Sequence, residues 1–362
     1  MINRVLNFNA GPSALALPVL RRAQKDLLNF GNEGMSVMEM GHRSRAFSRI
    51  LESAETRLRR IMALSDDYAV LFLSGGASYQ FAMAPLNFYR MHHPVNLVHT
   101  GYWTLKAAKE IEKLGELKII ASGEADQFKK LPKLTPDLID PEASYLHYCS
   151  NNTIYGTQWN QFIRQKNTPT IVDMSSDFLS RKIDFHQFDL IYAGAQKNVA
   201  IAGMSVVVIR KDFAKNAPPN IPSVFRYQNH IEAQGLYNTP PTFAIYMSDL
   251  VFEWIEDQGG LEGLEKKNQS KAKLLYDYID ESDFYHGVAE SSSRSKMNVL
   301  FRIRDGDESL EHRFVSEAES AGILGLKGHR HTGGLRASLY NAIELQAVAQ
   351  LVDFMKSFAK KF

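Results

Sequence analysis

The 362-residue chain has little cysteine and almost no net charge. Its one cysteine, Cys149, excludes an intrachain disulfide and favours a reducing compartment. Lys and Arg number 42 against 40 Asp and Glu, which leaves a formal charge of +2. Such a balance gives no overall field that would attract nucleic acid or an anionic membrane. Any recognition of an anion must therefore be local.

Long apolar runs and several well-known motifs are also missing. No apolar run approaches the roughly 20 residues that span a bilayer, and residues 1–9 lack the apolar segment of a secretory signal. The sequence contains no G-x-G dinucleotide fingerprint and no G-x-x-x-x-G-K-[ST] phosphate loop. H-E-x-x-H and other metal-ligand spacings are absent as well. We expect a cytoplasmic protein that binds no metal, nucleic acid or membrane.

What the chain does contain is an alternation of short apolar runs with helical patterns, such as residues 104–114. The strand-like runs are residues 69–73, 95–98, 170–172, 190–193 and 205–209. Short apolar strands separated by helices predict an α/β fold with a mostly parallel sheet that is covered on both faces. In such sheets, ligands bind beyond the carboxyl ends of the strands.

The length of the chain predicts two domains. Near Gly259 and Gly260 the pattern changes toward a smaller α+β domain. The expected elements there are an amphipathic helix at 263–279, a half-buried antiparallel strand at 297–303 and a closing helix at 344–362. Because chain termini often lie close together, we expect a large domain at 16–256 and a small domain made of 1–15 and 257–362.

The most informative segment is residues 189–198, where a strand-like run ends in small residues and then presents Lys197. A lysine in that place can be desolvated and held rigidly, and an amine then works as a Schiff-base nucleophile. The ordinary alternative is a surface lysine after a strand. The rest of the chain has to decide between the two.

Asp173 follows the run at 170–172 and precedes Lys197 by 24 residues, about one strand–loop–strand unit. If both strands are parallel, the carboxylate and the amine face the same crevice. A pyridoxal phosphate enzyme needs an acid that pairs with the pyridinium nitrogen and a lysine that forms an imine. The alternative for Asp173 is a helix N-cap.

Two further segments follow strand-like runs. Ser74-Gly75-Gly76-Ala77-Ser78 precedes a helix-like stretch at 79–84, and its small residues would let backbone amides approach a phosphate. Its alternative is an ordinary strand-to-helix turn. Trp103 would stack on a planar ring, or else pack as a core aromatic.

Two cationic clusters stand out in this evenly charged protein, at residues 41–45 and 327–336. Such clusters are costly to hold together without an anion, and arginine forks match both carboxylate and phosphate. The alternative is a solvated loop.

Seven separated motifs together resemble the phosphoserine aminotransferase family, in the family's order and over the whole chain. The motifs are FNAGP at 8–12, GHR at 41–43, SGGAS at 74–78, HYCSNNTI at 147–154, YAGAQKN at 192–198, YNTPPT at 237–242 and KGHR at 327–330. The resemblance implies a fold-type-I, class V enzyme of pyridoxal 5'-phosphate, with a mostly parallel large domain and a smaller α+β domain. It also implies a homodimer with shared active sites.

The resemblance also implies a role for each matching residue. Lys197 would be the Schiff-base lysine, with Asp173 on the ring nitrogen. The other implied contacts are Thr153 on the ring hydroxyl, Trp103 stacked on the ring, Ala77, Ser78 and Gln196 on the phosphate, Asn238 and Thr239 on the phosphate from the neighbouring subunit, His42, Arg43, His329 and Arg330 on the distal anion of the substrate, and Arg336 on its α-carboxylate. Some members carry an arginine where this chain has Ser78, which leaves that anion contact open here.

The implied reaction is reversible amino transfer from L-glutamate to 3-phosphohydroxypyruvate, a phosphorylated 2-oxo acid, which gives O-phospho-L-serine and 2-oxoglutarate. Relatives also accept the phosphorylated hydroxythreonine of vitamin B6 synthesis, and the sequence leaves that open. One alternative is a class V enzyme that transaminates a small neutral amino acid or desulfurates cysteine. A neutral substrate leaves Arg43 and Arg330 unexplained, and desulfuration needs a mobile cysteine, whereas Cys149 is expected in the sheet region. Another alternative is a non-catalytic sensor, which has no need of both Lys197 and Asp173.

Overall fold

A computed structural model describes residues 4–362, which form alternating strands and helices followed by a smaller mixed region. The strands are β1 Leu6–Asn7, β2 Tyr68–Ser74, β3 Val95–His99, β4 Leu117–Ser122, β5 Tyr145–Cys149, β6 Asn151–Asn152, β7 Thr157–Gln158, β8 Thr170–Asp173, β9 Leu190–Gly194, β10 Met204–Arg210, β11 Tyr285–Gly287, β12 Asn298–Ile303, β13 Ile323–Leu324 and β14 Leu335–Ser338. The helices are α1 Leu17–Asp26, α2 Arg45–Met62, α3 Ala77–Phe88, α4 Tyr102–Ile111, α5 Lys211–Ala214, α6 Tyr227–Glu232, α7 Thr242–Asp257, α8 Gly260–Asp280, α9 Glu308–Ser320 and α10 Leu345–Ala359.

The central sheet has seven strands in the order β2-β10-β9-β8-β5-β3-β4. Strand β10 runs antiparallel to both of its neighbours, and the other pairs are parallel. The mostly parallel α/β sheet predicted from the sequence is thus confirmed. Strands β5, β8 and β9 are direct neighbours, so the segments that follow them meet at one edge of the sheet.

Helices cover both faces of this sheet. In β9, Leu190 and Tyr192 pack in the apolar cluster that includes α3 and α4. Ile191 and Ala193 point to the other face and pack in the cluster that includes α2 and α7. Because both faces are buried, the strand is apolar throughout and shows no alternation of apolar and polar residues.

A third apolar cluster lies in the C-terminal part of the chain, around the antiparallel sheet β11-β12-β14 and helices α8 to α10. Phe8 belongs to this cluster, and β1 pairs in parallel with β13. The strand expected to be half-buried, β12, is instead buried along all of its length except Arg302. Its second face is covered because Asn298 and Leu300 pack on the loop that follows β5.

Several helices begin earlier than their sequence patterns indicate. Helix α3 starts at Ala77 and α4 at Tyr102, directly after the strands that precede them. The first turns of both helices therefore lie at the carboxyl edge of the sheet. No helix within residues 4–362 combines the length and the apolar character needed to cross a bilayer.

Candidate active site

The segments that follow five strands of the central sheet surround one cavity of about 290 Å³. They come after β2, β3, β5, β8 and β9, whose carboxyl ends share one edge of the sheet. The residues predicted from the sequence that line this cavity are Ala77, Ser78, Trp103, Thr153, Asp173, Gln196 and Lys197. The fold thus brings together residues that are up to 120 positions apart in the chain.

Lys197 lies three residues after the end of β9 and is only 8% exposed. Its Nζ donates a hydrogen bond of 2.8 Å to Thr153 Oγ1 and lies 6.0 Å from the centre of the Trp103 ring. The residues on either side are fixed as well: Ser13 N donates to Gln196 O at 2.9 Å, and the Asn198 side-chain Nδ2 donates to Phe178 O at 3.0 Å. The amine is therefore held at one position on the cavity wall.

Burial lowers the pKa of Lys197 to about 8, although the nearby Asp173 carboxylate acts in the opposite direction. A larger fraction of this amine is thus uncharged near neutral pH than for an exposed lysine. An uncharged amine is what a nucleophile or a general base requires.

Asp173 ends β8 and pairs in register with Cys149 of β5 and Tyr192 of β9. Its Oδ1 accepts a hydrogen bond of 2.8 Å from the backbone N–H of Ser175. Burial raises the pKa of Asp173, and hydrogen bonds from Ser175 oppose that rise. A cationic ring nitrogen next to the carboxylate would favour its ionised form.

The segment between β2 and α3 forms an open cradle for an anion. Gly75 and Gly76 have φ of +101° and +69°, a backbone conformation that favours glycine. A Cβ on Gly75 would lie 2.5 Å from the ring of Tyr79, so this position cannot hold a larger residue without movement. No side chain caps α3, and Ala77 and Ser78 of its first turn line the cavity, where free amides of a helix start attract negative charge.

Trp103 forms a second wall of the cavity, in the first turn of α4. Its ring packs at 6.5 Å from Phe81 and edge-on at 5.1 Å from Tyr102. The buried Trp103 Nε1–H has no acceptor among residues 4–362, although buried indole groups usually have one. The anion cradle, the open aromatic wall and the lysine together fit a ligand with a phosphate, a flat ring and a carbonyl group.

The second basic cluster lies at the rim of the cavity. His329 and His331 contact the ring of Tyr102, with ring centres 5.6 and 5.0 Å apart. Arg336 Nη1 donates to Thr153 O at 3.3 Å, while its buried Nε has no acceptor in the described part of the chain. Burial lowers the pKa of Arg336 from its usual high value. A carboxylate would satisfy this arginine.

Seven predicted site residues do not line the cavity of their own chain. Three of them, His329, the exposed Arg330 and Arg336, belong to the second basic cluster, and the other four lie elsewhere. His42 and Arg43 lie in the loop before α2, where Arg43 is exposed. Asn238 and Thr239 lie between α6 and α7 and are exposed. One copy of the chain does not bring these four residues together with Lys197.

The sequence reasoning missed Asn151, Ser175 and Ser176, which also line the cavity. Asn151 Nδ2 donates to Ser176 Oγ at 2.7 Å and to Asn298 Oδ1 at 2.8 Å, which ties the site to β12. The available signal was the run of small polar residues directly after Asp173. Such runs are common in loops, so the signal by itself was weak.

Cys149 also borders the cavity, but it does not suit nucleophilic chemistry. It is 3% exposed, and its thiol donates to Asn151 O at 3.2 Å. Burial raises the pKa of this thiol well above its usual value, so it is not the mobile thiolate that desulfuration needs. Within residues 4–362, no group of three or more His, Cys, Asp or Glu side chains is placed to hold a metal ion.

Comparisons with known proteins agree with this geometry. The sequence model of the family described as "Aminotransferase class-V" matches residues 5–351. The chain is 49% identical to the phosphoserine aminotransferase of Geobacillus kaustophilus, with 100% of both chains covered. It superposes on the phosphoserine aminotransferase of Bacillus circulans subsp. alkalophilus with a TM-score of 0.96 and 45% identity, over 99% of each chain.

A more distant structure is the pyridoxal phosphate-bound phosphoserine aminotransferase of Trichomonas vaginalis, with a TM-score of 0.91 and 37% identity. The match covers 98% of this chain and 100% of that one. Identity above one third over whole chains, together with superposable folds, establishes the family. The chain belongs to the phosphoserine aminotransferase family of class-V aminotransferases.

Proposed function

We propose that this chain uses pyridoxal 5'-phosphate to transfer an amino group between L-glutamate and 3-phosphohydroxypyruvate, giving O-phospho-L-serine and 2-oxoglutarate. The observation that carries the proposal is the buried amine of Lys197, which lies at a ring-sized cavity with Asp173 and the first turn of α3. Family membership supports the same reaction.

The residues of the cavity divide into those that hold the cofactor and those that react. The amides and side chains at Ala77, Ser78 and Gln196 would bind the phosphate, Trp103 would cover the ring and Thr153 would bind its hydroxyl. When bound, the cofactor supplies an aldehyde that exchanges amines and a ring that takes up an electron pair. Ring protonation requires an ionised carboxylate, and this is the role of Asp173.

Lys197 has two tasks in this proposal. It is first the nucleophile that anchors the cofactor, and burial favours this by keeping part of the amine uncharged. Once a substrate amine has replaced it, the freed lysine would take the proton from the substrate Cα and would donate it to the cofactor carbon that carried the aldehyde. The hydrogen bond to Thr153 keeps the freed amine within the cavity.

Both substrates carry a second anion, and this explains the cationic rim. Arg336 would bind the α-carboxylate, because its Nε lacks an acceptor. His329 and Arg330, together with His42 and Arg43, would bind the γ-carboxylate or the phosphate in turn. Arginine suits this exchange since its fork matches both groups.

We further propose that the enzyme works as a homodimer in which a second copy supplies Asn238 and Thr239 to the phosphate. Both residues are exposed in the single chain, and so are the apolar side chains of Leu28 and Tyr237, at 88% and 41%. Mixing Lys197→Ala with Asn238→Ala subunits tests this, because a mixed dimer regains one intact site only if the sites are shared. Activity equal to the sum of the two separate variants would reject the shared site.

The division into a large domain at 16–256 and a small domain of 1–15 and 257–362 also remains a proposal. Separate apolar clusters support it. Helix α8 lies within the small domain and joins the two: Leu261 and Leu264 pack in the cluster that includes α2 and α7, and Ala272 packs in the cluster around β11, β12 and β14. A cytoplasmic location is proposed on the single buried Cys149.

The decisive assay is substrate specificity. The purified enzyme is expected to show ping-pong exchange between L-glutamate and 3-phosphohydroxypyruvate, with L-alanine a poor donor. The same assay with phosphorylated hydroxythreonine measures the breadth of the site. Equal turnover of L-alanine and O-phospho-L-serine would contradict the proposal, and binding without exchange would indicate a sensor.

A further inference from the structure

The segment at residues 327–334, here called the anion loop, carries His329 and Arg330 on a tightly folded backbone. Gly328 N donates to Gly334 O at 2.9 Å, and Gly333 N donates to His329 O at 2.8 Å. A Cβ on Gly328 would lie 2.0 Å from Gly333 O, so the close return of the chain depends on glycine. On one side the loop borders a groove of about 850 Å³ instead of packed protein. On that side the loop therefore has little packed protein against it.

Arg302 of β12 contacts the anion loop. Phe301 pairs with Leu335 of β14, and this register places Arg302 beside Gly334. A Cβ on Gly334 would lie 2.6 Å from Arg302 Cδ, and one on Gly333 would lie 3.9 Å from Arg302 Nη1. The arginine side chain thus lies directly against the backbone of the anion loop.

Glu311 of α9 fixes this arginine. Arg302 Nε and Nη2 donate to the two carboxylate oxygens of Glu311 at 2.6 and 3.1 Å, so the pair is bidentate. The Glu311 side chain is 4% exposed and also accepts from Ile303 N at 3.3 Å. An exposed ion pair contributes little to the stability of a fold. A bidentate contact with a buried carboxylate, however, fixes the orientation of the arginine side chain. Arg302 is consequently held as a rigid support.

We propose that Arg302, held by Glu311, is a positioning residue that keeps the anion loop ordered, so that His329 and Arg330 are in place before the distal anion of the substrate arrives. The inference rests on the function proposed above for these two residues. If the loop is not ordered beforehand, its long side chains must become ordered on binding, and affinity falls by about tenfold.

The test uses the holoenzyme, in which the cofactor already fills the phosphate cradle. Arg302→Met retains the aliphatic stem and removes the fork. Calorimetry with inorganic phosphate is expected to give a Kd about tenfold higher, with a similar rise in KM for O-phospho-L-serine and little change in kcat. The slow half-reaction with L-alanine, which has no distal anion, should be unchanged. Amides of residues 328–334 should exchange hydrogen faster.

The matched control is Arg313→Met on the same helix as Glu311. Arg313 pairs with Glu317 at 2.8 Å, but both side chains are more exposed than those of the Arg302 pair. This control should behave as the wild type in every measurement. Arg302→Lys, which retains the charge without the fork, should fall between Arg302→Met and the wild type. If Arg302→Met does not fold, Glu311→Gln is used in its place in the same measurements, because it removes the charge that holds the arginine fork.

Unchanged phosphate affinity and KM in Arg302→Met and Glu311→Gln would overturn the inference. Equal losses with O-phospho-L-serine and L-alanine would also overturn it, because they would indicate a general structural defect. Arg330→Gln separates the two proposals. If Arg330→Gln leaves phosphate binding intact, the function proposed for the loop is wrong; if it weakens binding and Arg302→Met does not, only the positioning role is wrong.

Discussion

Within residues 4–362, two lysines are buried in different surroundings. Lys197 lies at the cavity on the sheet edge, 8% exposed, and Lys271 lies on α8, 1% exposed. Burial lowers the pKa of both, to about 8 and about 7. Lys197 has an aspartate nearby and open space before it. Lys271 instead donates to Leu339 O and Tyr340 O at 3.0 and 2.8 Å. No carboxylate contributes to the shift of its pKa.

The comparison teaches that a lowered pKa does not by itself identify a catalytic lysine. Desolvation lowers the pKa wherever an amine is buried. What distinguishes Lys197 is the cavity in front of it, with Asp173, Trp103 and the first turn of α3 around the same space. Lys271 is also a buried amine, but it donates its hydrogen bonds to backbone carbonyl groups directly after β14.

The largest effect should come from Lys197→Ala. We expect transamination to fall by about 10⁴-fold or more, with loss of the visible absorbance of the bound cofactor, because nucleophile and base are removed together. Lys271→Ala should retain the absorbance and most of the activity per folded molecule. Near-normal turnover in Lys197→Ala would contradict the role assigned to this lysine.

The next effect concerns Asp173. Asp173→Asn should lower kcat by about 10²- to 10³-fold, because a neutral amide cannot stabilise a protonated ring nitrogen. The control is Asp189→Asn, at the opposite end of the same strands, where Asp189 accepts from Thr170 N at 2.8 Å and pairs with Arg210. That variant should lose stability but retain cofactor affinity. Equal losses of kcat in Asp173→Asn and Asp189→Asn would contradict a specific role for Asp173.

The pH dependence of stability gives a smaller effect, measured on the cofactor-free enzyme. The pKa of Lys197 is about 8 in the fold and near 10.5 when exposed, so the unfolded chain binds more protons between these values. Below pH 8 the fold carries the full cost of a buried ammonium, and this cost disappears as the pH rises toward 10.5. Lys197→Met should therefore be more stable than the wild type at pH 7, by about 3 kcal/mol, with the difference shrinking above pH 8.

Lys271 is present in both proteins of that comparison, so its own titration cancels. Denaturant unfolding at pH 7 and pH 10 measures the two free energies of unfolding. A difference that stays constant between these values would show that the Lys197 ammonium carries no burial cost.

The smallest effect is expected for Lys271→Met. The substitution removes the lysine donor to Leu339 O and Tyr340 O, although Tyr340 O still accepts from Ile343 N. The free energy of unfolding should change by less than about 2 kcal/mol, because relief of the buried ammonium opposes the loss of its two hydrogen bonds. Denaturant unfolding measures this, with cofactor absorbance as the second readout. Loss of absorbance at unchanged stability would place Lys271 in the chemistry instead.

Much of the sheet and part of the cavity could be predicted from local order, whereas Thr153 and Gln196 are expected only from the family resemblance. Apolar strands followed by small residues indicate the carboxyl edge, and Asp173 and Lys197 follow from it. The burial of β12 could not be predicted, because its second face is covered by the distant loop after β5. Nor could the contact between Asn151 and Asn298, which lie 147 positions apart. The Arg302–Glu311 pair spans only nine positions, but it depends on how α9 packs against β12.

The measurement that tests the role of Lys197 most directly is reduction of the holoenzyme with borohydride, followed by peptide mass spectrometry. Reduction makes the bond between the cofactor and its lysine permanent, so the modified residue can be located. The expected result is one pyridoxyl group on the peptide that contains Lys197, with the peptide of Lys271 unmodified. A pyridoxyl group on Lys271 or on another lysine, or none on Lys197, would contradict the assignment.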